Sequence, residues 1–331
     1  SPGDGKLSPF GAARSDNKEV GTLTRLARLY KNGALLVMTL PGLLLLLALH
    51  YLPIGGILIA FKNYSLSGGS FFRNFANSPW IGFDNFEFFL NTPDAFIITR
   101  NTILYNLVFI FLGTAISVFL AVAFNELRNR RMAKIYQTTI LLPYFLSWIA
   151  VSYLFFGFLS ADKGILNQLV FEPLGREGVD WYNRSVYWPY ILVFANVWKY
   201  AGYNCIIYLA AIIGIDNDYY EAAALDGASK WQQIRHITIP SLSTVITLLV
   251  LLGIGRMFFA DFGLFYQVPM NSGAIFDVTN VIDTFVYRAL INSGDIGMSS
   301  AASTFQAFVG FILVVLSNWI VKRIDSEKAI F

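Results

Sequence analysis

The sequence predicts an all-α polytopic membrane protein with about six transmembrane helices, and three observations predict it. Apolar residues make up 56% of the 331 and charged residues only 14%, against about 25% charge in an ordinary soluble domain. Runs of twenty or more residues carry almost no acidic or basic side chain. The basic residues gather in alternate connecting segments, the pattern that fixes orientation in a bilayer.

A bilayer core about 30 Å thick takes roughly 20 helical residues to cross. Residues 32–61 lie between Lys31 and Lys62 with His50 as their sole titrating exception among acids and bases. Further charge-free runs are 101–125, 135–161, 237–255 and 296–321, and 185–215 is interrupted once, by Lys199. The spans are expected near 33–61, 97–126, 134–160, 187–214, 240–262 and 299–322. Together they form a transmembrane domain over 32–324. A cytoplasmic N-terminal tail (1–31) with a candidate amphipathic helix precedes it, and a short cytoplasmic tail (325–331) follows.

With the N-terminus inside, fifteen of the twenty-four basic residues fall on inner segments, among them Arg128, Arg130, Arg131, Lys134, Lys230 and Arg235. Seven, including Lys62, Arg100 and Arg288, fall outside; Lys199 and Arg256 lie within spans. Both termini are therefore expected in the cytoplasm. The first apolar segment does not read as a cleavable signal, because it is long and lacks a small-residue cleavage site. The outer loops are aromatic, and WIGFDNFEFFL (80–90) is a candidate for lying along the membrane surface.

Composition also excludes chemistry. A net charge of +3 gives no argument for a nucleic-acid partner. The lone Cys205 forms no disulfide framework, and two histidines, His50 and His236, leave no basis for a His-rich metal or catalytic centre. The chain holds no G-x-x-x-x-G-K-[ST] phosphate loop.

Residues 221–240, EAAALDGASKWQQIRHITIP, form a polar stretch between the fourth and fifth spans. Asp216, Asn217 and Asp218 offer capping side chains to a short helix, Tyr219 to Asp226. Ala222, Ala223 and Ala224 favour helix and leave its surface low, open to close approach by another backbone. Gly227 is placed to stop the helix in a left-handed conformation. A second short helix, Ser229 to Arg235, is expected next, and Pro240 begins the fifth span, where a missing N–H is tolerated. Two short helices at an angle make a stiff knob.

The pattern Glu221-Ala222-Ala223, Gly227, Ile237-x-Ile239-Pro240 resembles the EAA loop of permease subunits in binding-protein-dependent ABC importers. NTILYN (101–106), LLPYFLSW (141–148), WKYAGYNCIIYLAAIIGID (198–216), FGLFYQVPMNSG (262–273) and the run 281–306 are similar to the oligosaccharide branch, which includes alginate importer permeases. Asn217 stands where that family commonly has Pro, and Ile239 where it usually has Leu. The resemblance implies a type I ABC importer permease fold in which 216–240 is a coupling loop. Glu221, Ala222, Ala223, Asp226, Gly227, Ile237 and Pro240 would contact the ATPase. It further implies a second permease subunit completing a heterodimeric channel, two ATPase subunits that bind ATP and Mg, an extracytoplasmic solute-binding protein, and an oligosaccharide substrate. The complex would sit in the bacterial cytoplasmic (inner) membrane, and this chain would hold no cofactor, metal or catalytic residue.

Lys199, Arg256 and Asp261 fall within the predicted spans, where a central charge costs about 2.5–3.5 kcal/mol. Arg256 and Asp261 are five residues apart, about 140° around a helix, so neither is expected to satisfy the other. Two readings stay open: a buried ion-pair network such as Lys199 with Asp261, or a wet pathway whose cations favour an acidic saccharide. Tyr203 and Asn204 join that candidate pathway because sugars stack on rings and bond to adjacent polar groups. A competing class, an ion-coupled secondary transporter with Asp261 and Glu126 as relay carboxylates, would lack the internal repeats common there. A membrane enzyme would need a convergent acid–base or metal constellation.

Overall fold

The computed structural model describes residues 33–65, 68–87, 93–325 and 328–329. The expected N-terminal amphipathic helix lies outside these. The chain divides into two compact units at Leu58 and Ile59. The described part of the first opens with α1 (Gly33–Leu46), and the helical run continues through a π turn (Leu47–Tyr51) and a 3-10 stretch to Phe61. Leu35, Leu40, Leu43 and Leu49 are exposed, as suits a segment whose solvent is lipid.

The second unit is helical, with one isolated antiparallel bridge, Lys62 to Trp80, among the described residues. In chain order its helices are α2 (Phe71–Asn77), α3 (Pro93–Asn125), α4 (Arg130–Phe145), α5 (Trp148–Leu159), α6 (Trp188–Ile213), α7 (Asn217–Leu225), α8 (Lys230–Gln233), α9 (Ile239–Gly255), α10 (Phe262–Gln267), α11 (Phe276–Thr279), α12 (Ile282–Arg288) and α13 (Ile296–Ile324). Of the surface stretch expected at 80–90, the described part holds only a 3-10 turn, Asp84–Phe86.

Among the described residues four helices are long and apolar enough to cross a membrane: Val37–Phe61, Asp94–Asn125, Lys230–Gly255 and Ile296–Ile324. The third expected span is instead a broken pair, Arg131–Phe145 and Trp148–Leu159, bent by 98°. Local chemistry explains the break. Pro143 lacks a backbone donor, Leu146 is extended, and the Ser147 side chain accepts from Ala150 N to cap a new helix.

α6 occupies the expected fourth span. Its 26 residues reach about 39 Å, but it is not among the four helices long and apolar enough to cross a membrane. It compensates by burial, packing chiefly on α3 and α4 and then on α9. Without a hydrophobic drive between helices in lipid, close backbone approach supplies the packing. Gly202 shows this: a Cβ there would lie 2.0 Å from the carbonyl oxygen of Ile140 in α4.

The fifth span also differs from expectation. Lys230 to Gly255 is one helical run in which α8 passes into α9 through a π turn, Ile234–Thr238. Pro240 follows that turn inside the run. It has no N–H to give and its ring crowds the preceding carbonyl, and a wider turn eases the passage. The helix then stops at Gly255, seven residues before the expected end.

Two clusters of buried side chains frame the site. Tyr105, Phe155, Trp188, Leu192, Leu264 and Phe265 join α3, α5, α6 and α10. Ala121, Cys205, Tyr208, Leu209, Ile212 and Leu242 join α3, α6 and α9 at the end that carries α7.

Candidate functional site

α7 and the turn after it form the exposed elbow. Asp216 is extended and its side chain accepts from Asp218 N at 3.1 Å, capping α7. At the far end Gly227 takes φ +79°, while Ala228 N donates to Ala223 O at 2.9 Å and Gly227 N to Ala224 O at 3.1 Å. These two bonds make a Schellman motif, which satisfies carbonyls that a helix end leaves orphaned. A reciprocal capping box follows at once: Ser229 N donates to Gln232 Oε1 at 2.7 Å, and Gln232 N donates to Ser229 Oγ at 3.4 Å. Every turn of the elbow is closed by a local bond, which makes it stiff.

The elbow is anchored to the bundle at two points. Tyr220 Oη lies 2.9 Å from Thr238 Oγ1, joining α7 to the π turn. Lys230 pairs with Glu126 at 3.7 Å, an exposed pair of small energetic weight that nonetheless sets the loop after α3 beside α8. A groove of about 870 Å³ runs between them, with Glu126, Arg128, Ile213, Asn217, Tyr220 and Lys230 in its walls.

Of the residues expected to dock, Glu221, Ala222, Asp226, Gly227 and Pro240 are exposed, and Ala223 and Ile237 are partly so. The expectation of two separate short helices is corrected: α7 is one, but the second is the first turn of the long run to Gly255. Sequence reasoning passed over the apolar crown of the elbow. Tyr219, Leu225 and Trp231 are 65%, 89% and 67% exposed. Leu225 and Trp231 flank the Gly227 turn, a signal available in the pattern itself.

The charges expected within spans meet different surroundings. Lys199 is 5% exposed, and its Nζ donates to Pro143 O at 3.3 Å, to Tyr144 O at 3.2 Å and to Leu146 O. It also lies 5.1 Å from the Trp148 ring centroid. A lysine is thus spent on the carbonyls freed where α4 ends, because a broken helix in lipid must have its backbone groups satisfied. Lys199 makes no ion pair with Asp261; the ion pairs among the described residues are Lys230–Glu126 and Lys328–Asp325.

Asp261 lies beyond the fifth helix rather than within it. It caps α10 by accepting from Leu264 N at 3.3 Å. Its Oδ2 accepts from Trp148 Nε1 at 2.8 Å and from Tyr200 Oη at 2.7 Å. Among the described residues it shares no hydrogen-bond or ion-pair partner with Glu126, which pairs with Lys230. Arg256 is the C-cap of α9, exposed, with no side-chain partner among the described residues. Tyr203 stacks on Tyr144 with ring centroids 4.4 Å apart and planes 10° from parallel, and is 42% exposed. Asn204 is half-buried beside it. The structure therefore leaves Tyr203, Asn204 and Arg256 with open surface and ties up Lys199 and Asp261.

The chain is thus a helical bundle with broken spans that carries an exposed, locally capped elbow. Residues 113–329 match the family described as binding-protein-dependent transport system inner membrane component, and the chain belongs to that family. It is 33% identical over 302 residues to Protein LplB of Bacillus subtilis, covering 91% of this chain and 92% of that one. With the same coverage it is 32% identical to the polygalacturonan/rhamnogalacturonan transport system permease protein YteP of Bacillus subtilis.

Among solved structures it is similar to a chain of a bacterial ABC transporter involved in the import of the acidic polysaccharide alginate. The TM-score is 0.82 with 28% identity over 91% of this chain and 99% of that chain. A bacterial alginate ABC transporter in complex with alginate pentasaccharide-bound periplasmic protein gives a TM-score of 0.80 with 28% identity, over 90% of this chain and 97% of that chain. The type I ABC importer permease fold implied by the sequence stands, and the family is one of transport components rather than enzymes.

Proposed function

We propose that this chain is the transmembrane subunit of an ATP-driven importer and forms half of the translocation pathway for an oligosaccharide or glycan fragment. The observation that carries this is the elbow: a short helix closed at both ends by its own caps, exposed, and crowned by Tyr219, Leu225 and Trp231. Such a surface suits a groove on a second protein, with Glu221 meeting a basic group and Ala222, Ala223, Asp226 and Gly227 making the close contact. Ile237 and Pro240 hold the following turn in register.

In this reading the elbow faces the cytoplasm, as do both termini, and two ATPase subunits bind ATP and Mg beneath it. A second permease closes the channel and a solute-binding protein delivers substrate from outside the bacterial inner membrane. Nucleotide binding draws the elbows together, and the attached helices rock between inward- and outward-facing states. The chain supplies a path and a lever, with no bond chemistry of its own.

The substrate proposed is an acidic glycan fragment. Arg256 is the cation left without a partner among the described residues near the helix breaks, and the stacked Tyr144 and Tyr203 rings offer a face for sugar C–H groups. The chain's similarity to the polygalacturonan/rhamnogalacturonan permease and to the alginate importer supports this choice. The test is uptake into proteoliposomes holding the complex purified through a tag on this chain. Uptake of a uronate oligomer that needs ATP, is blocked by vanadate and exceeds that of a neutral oligomer of equal length is expected. Co-purification of no ATPase would overturn the importer reading, and equal uptake of both oligomers the acidic one.

A further inference from the structure

Two breaks interrupt the bundle, one at Leu146–Ser147 between α4 and α5 and one at residues 256–261 between α9 and α10. Backbone groups freed inside a membrane need partners from elsewhere in the protein, and here each break is supplied by distant side chains. At the second, Asn106 of α3 donates to Met257 O at 3.0 Å and Phe259 O at 3.1 Å. Gln306 of α13 donates to Phe258 O at 2.6 Å, and Asp283 Oδ2 of α12 accepts from Ala260 N at 2.7 Å. At the first, Lys199 of α6 caps the end of α4.

The two breaks are also fastened to each other. Trp148 opens α5 and donates to Asp261, which ends the second break and caps α10. Tyr200, next to Lys199 on α6, donates to the same carboxylate oxygen. Packing reinforces the bonds: a Cβ on Gly263 would lie 2.1 Å from Cδ1 of Trp148, so the indole sits directly on the α10 backbone.

We propose that Asp261 is a positioning residue for transport, binding the two helix breaks through Trp148 and Tyr200 so that they shift as one body. This rests on the importer reading and deepens it. α7 hangs between α6 and the α8–α9 run. From Tyr200, α6 descends about 20 Å to the elbow, and the α8–α9 run returns from the elbow to the break that Asp261 ends. The carboxylate thus closes a mechanical loop, and a displacement imposed on α7 reaches both breaks together. A brace that only stabilised the fold would have no effect on how much transport each ATP yields.

The experiment uses the complex purified through a tag on this chain and reconstituted in proteoliposomes. It measures uptake of a labelled uronate pentamer, ATP hydrolysis, and backbone hydrogen exchange of 146–150 and 256–263 with and without vanadate trapping. The variants are Asp261→Ala, Trp148→Phe and Tyr200→Phe, the last two removing one donor each while keeping the ring. Sugar transported per ATP should fall about tenfold in Asp261→Ala, the scale of one charge-assisted hydrogen bond, with apparent KM for the pentamer unchanged. The Phe variants should fall in the same direction, and Trp148→Phe should add little on top of Asp261→Ala. In wild type the two segments should change protection together on trapping, and in Asp261→Ala only one should. Wild-type coupling ratios in all three variants, or joint exchange persisting in Asp261→Ala, would overturn the proposal. A wild-type complex that brings down no ATPase would instead overturn the importer reading.

Discussion

Lys199 donates its ammonium to the main-chain carbonyl of Leu146, fifty-three residues earlier, at the point where the helix formed by α4 and α5 breaks. This charge, one of two cations expected within the spans, caps a helix end. Its surroundings separate it from Arg256, the other cation of the same region, and the two should behave differently when removed.

Lys199→Met leaves the carbonyls of Pro143, Tyr144 and Leu146 without their shared donor. Each buried polar group left unmade costs about 1–3 kcal/mol, so the variant should melt well below wild type in detergent, with substrate charge preference unchanged. Arg256→Met should keep wild-type melting and lose preference for a uronate oligomer over a neutral one. Thermal unfolding followed by competition uptake separates the two; loss of charge preference in Lys199→Met alone would reverse the assignment.

Gly227 should tolerate no β-branched residue. Its φ of +79° strains an L side chain by roughly 1–2 kcal/mol, and the Schellman bonds to Ala223 and Ala224 depend on that conformation. Gly227→Val should insert and fold yet retain less ATPase on purification and uncouple hydrolysis from uptake. Full transport in this variant would remove the elbow from the mechanism.

At Gly202 the close approach to Ile140 O leaves no room for a methyl group. Gly202→Ala should separate α4 from α6 and destabilise the fold by about 1–3 kcal/mol, as overpacking does. Detergent melting checks this, and an unchanged midpoint would show that the helices part without strain.

Asp283 gives a pH signature. Burial raises its carboxyl above the ordinary range, only partly countered by donors from Ala260 and Gln306, and Asp261 adds a further raising charge. The native state therefore takes up the proton more readily than the unfolded chain does. Its stability contribution is fullest at acid pH and falls as pH rises through the raised native value. Asp283→Asn keeps an acceptor for both donors and removes the titration, so its melting should lose this slope as pH rises above the ordinary carboxylate range. A slope equal to wild type would place the titration on another group.

The elbow was legible in the sequence because its bonds are local. Asp216 to Asp218, Ser229 to Gln232 and the Gly227 stop join residues two to five positions apart, and such spacings can be read from a string of letters. The break in the third span was not read: the charge-free run gave one span over 134–160, although Pro143 and Ser147 carry a local signal for it. The end of α9 could not be read in the same way. It stops at Gly255 because Asn106, Gln306 and Asp283 wait to receive the freed backbone, at sequence separations of 151, 48 and 23.

By itself, the sequence determined the helical membrane class and the stiff segment between α6 and α9, since runs without charge and local caps are one-dimensional facts. Tertiary structure alone decided which charges are consumed and which stay open. A lysine in lipid takes whatever carbonyls three-dimensional packing brings within 3 Å or so, and only the folded chain sets Leu146 beside Lys199, and Trp148 and Tyr200 beside Asp261.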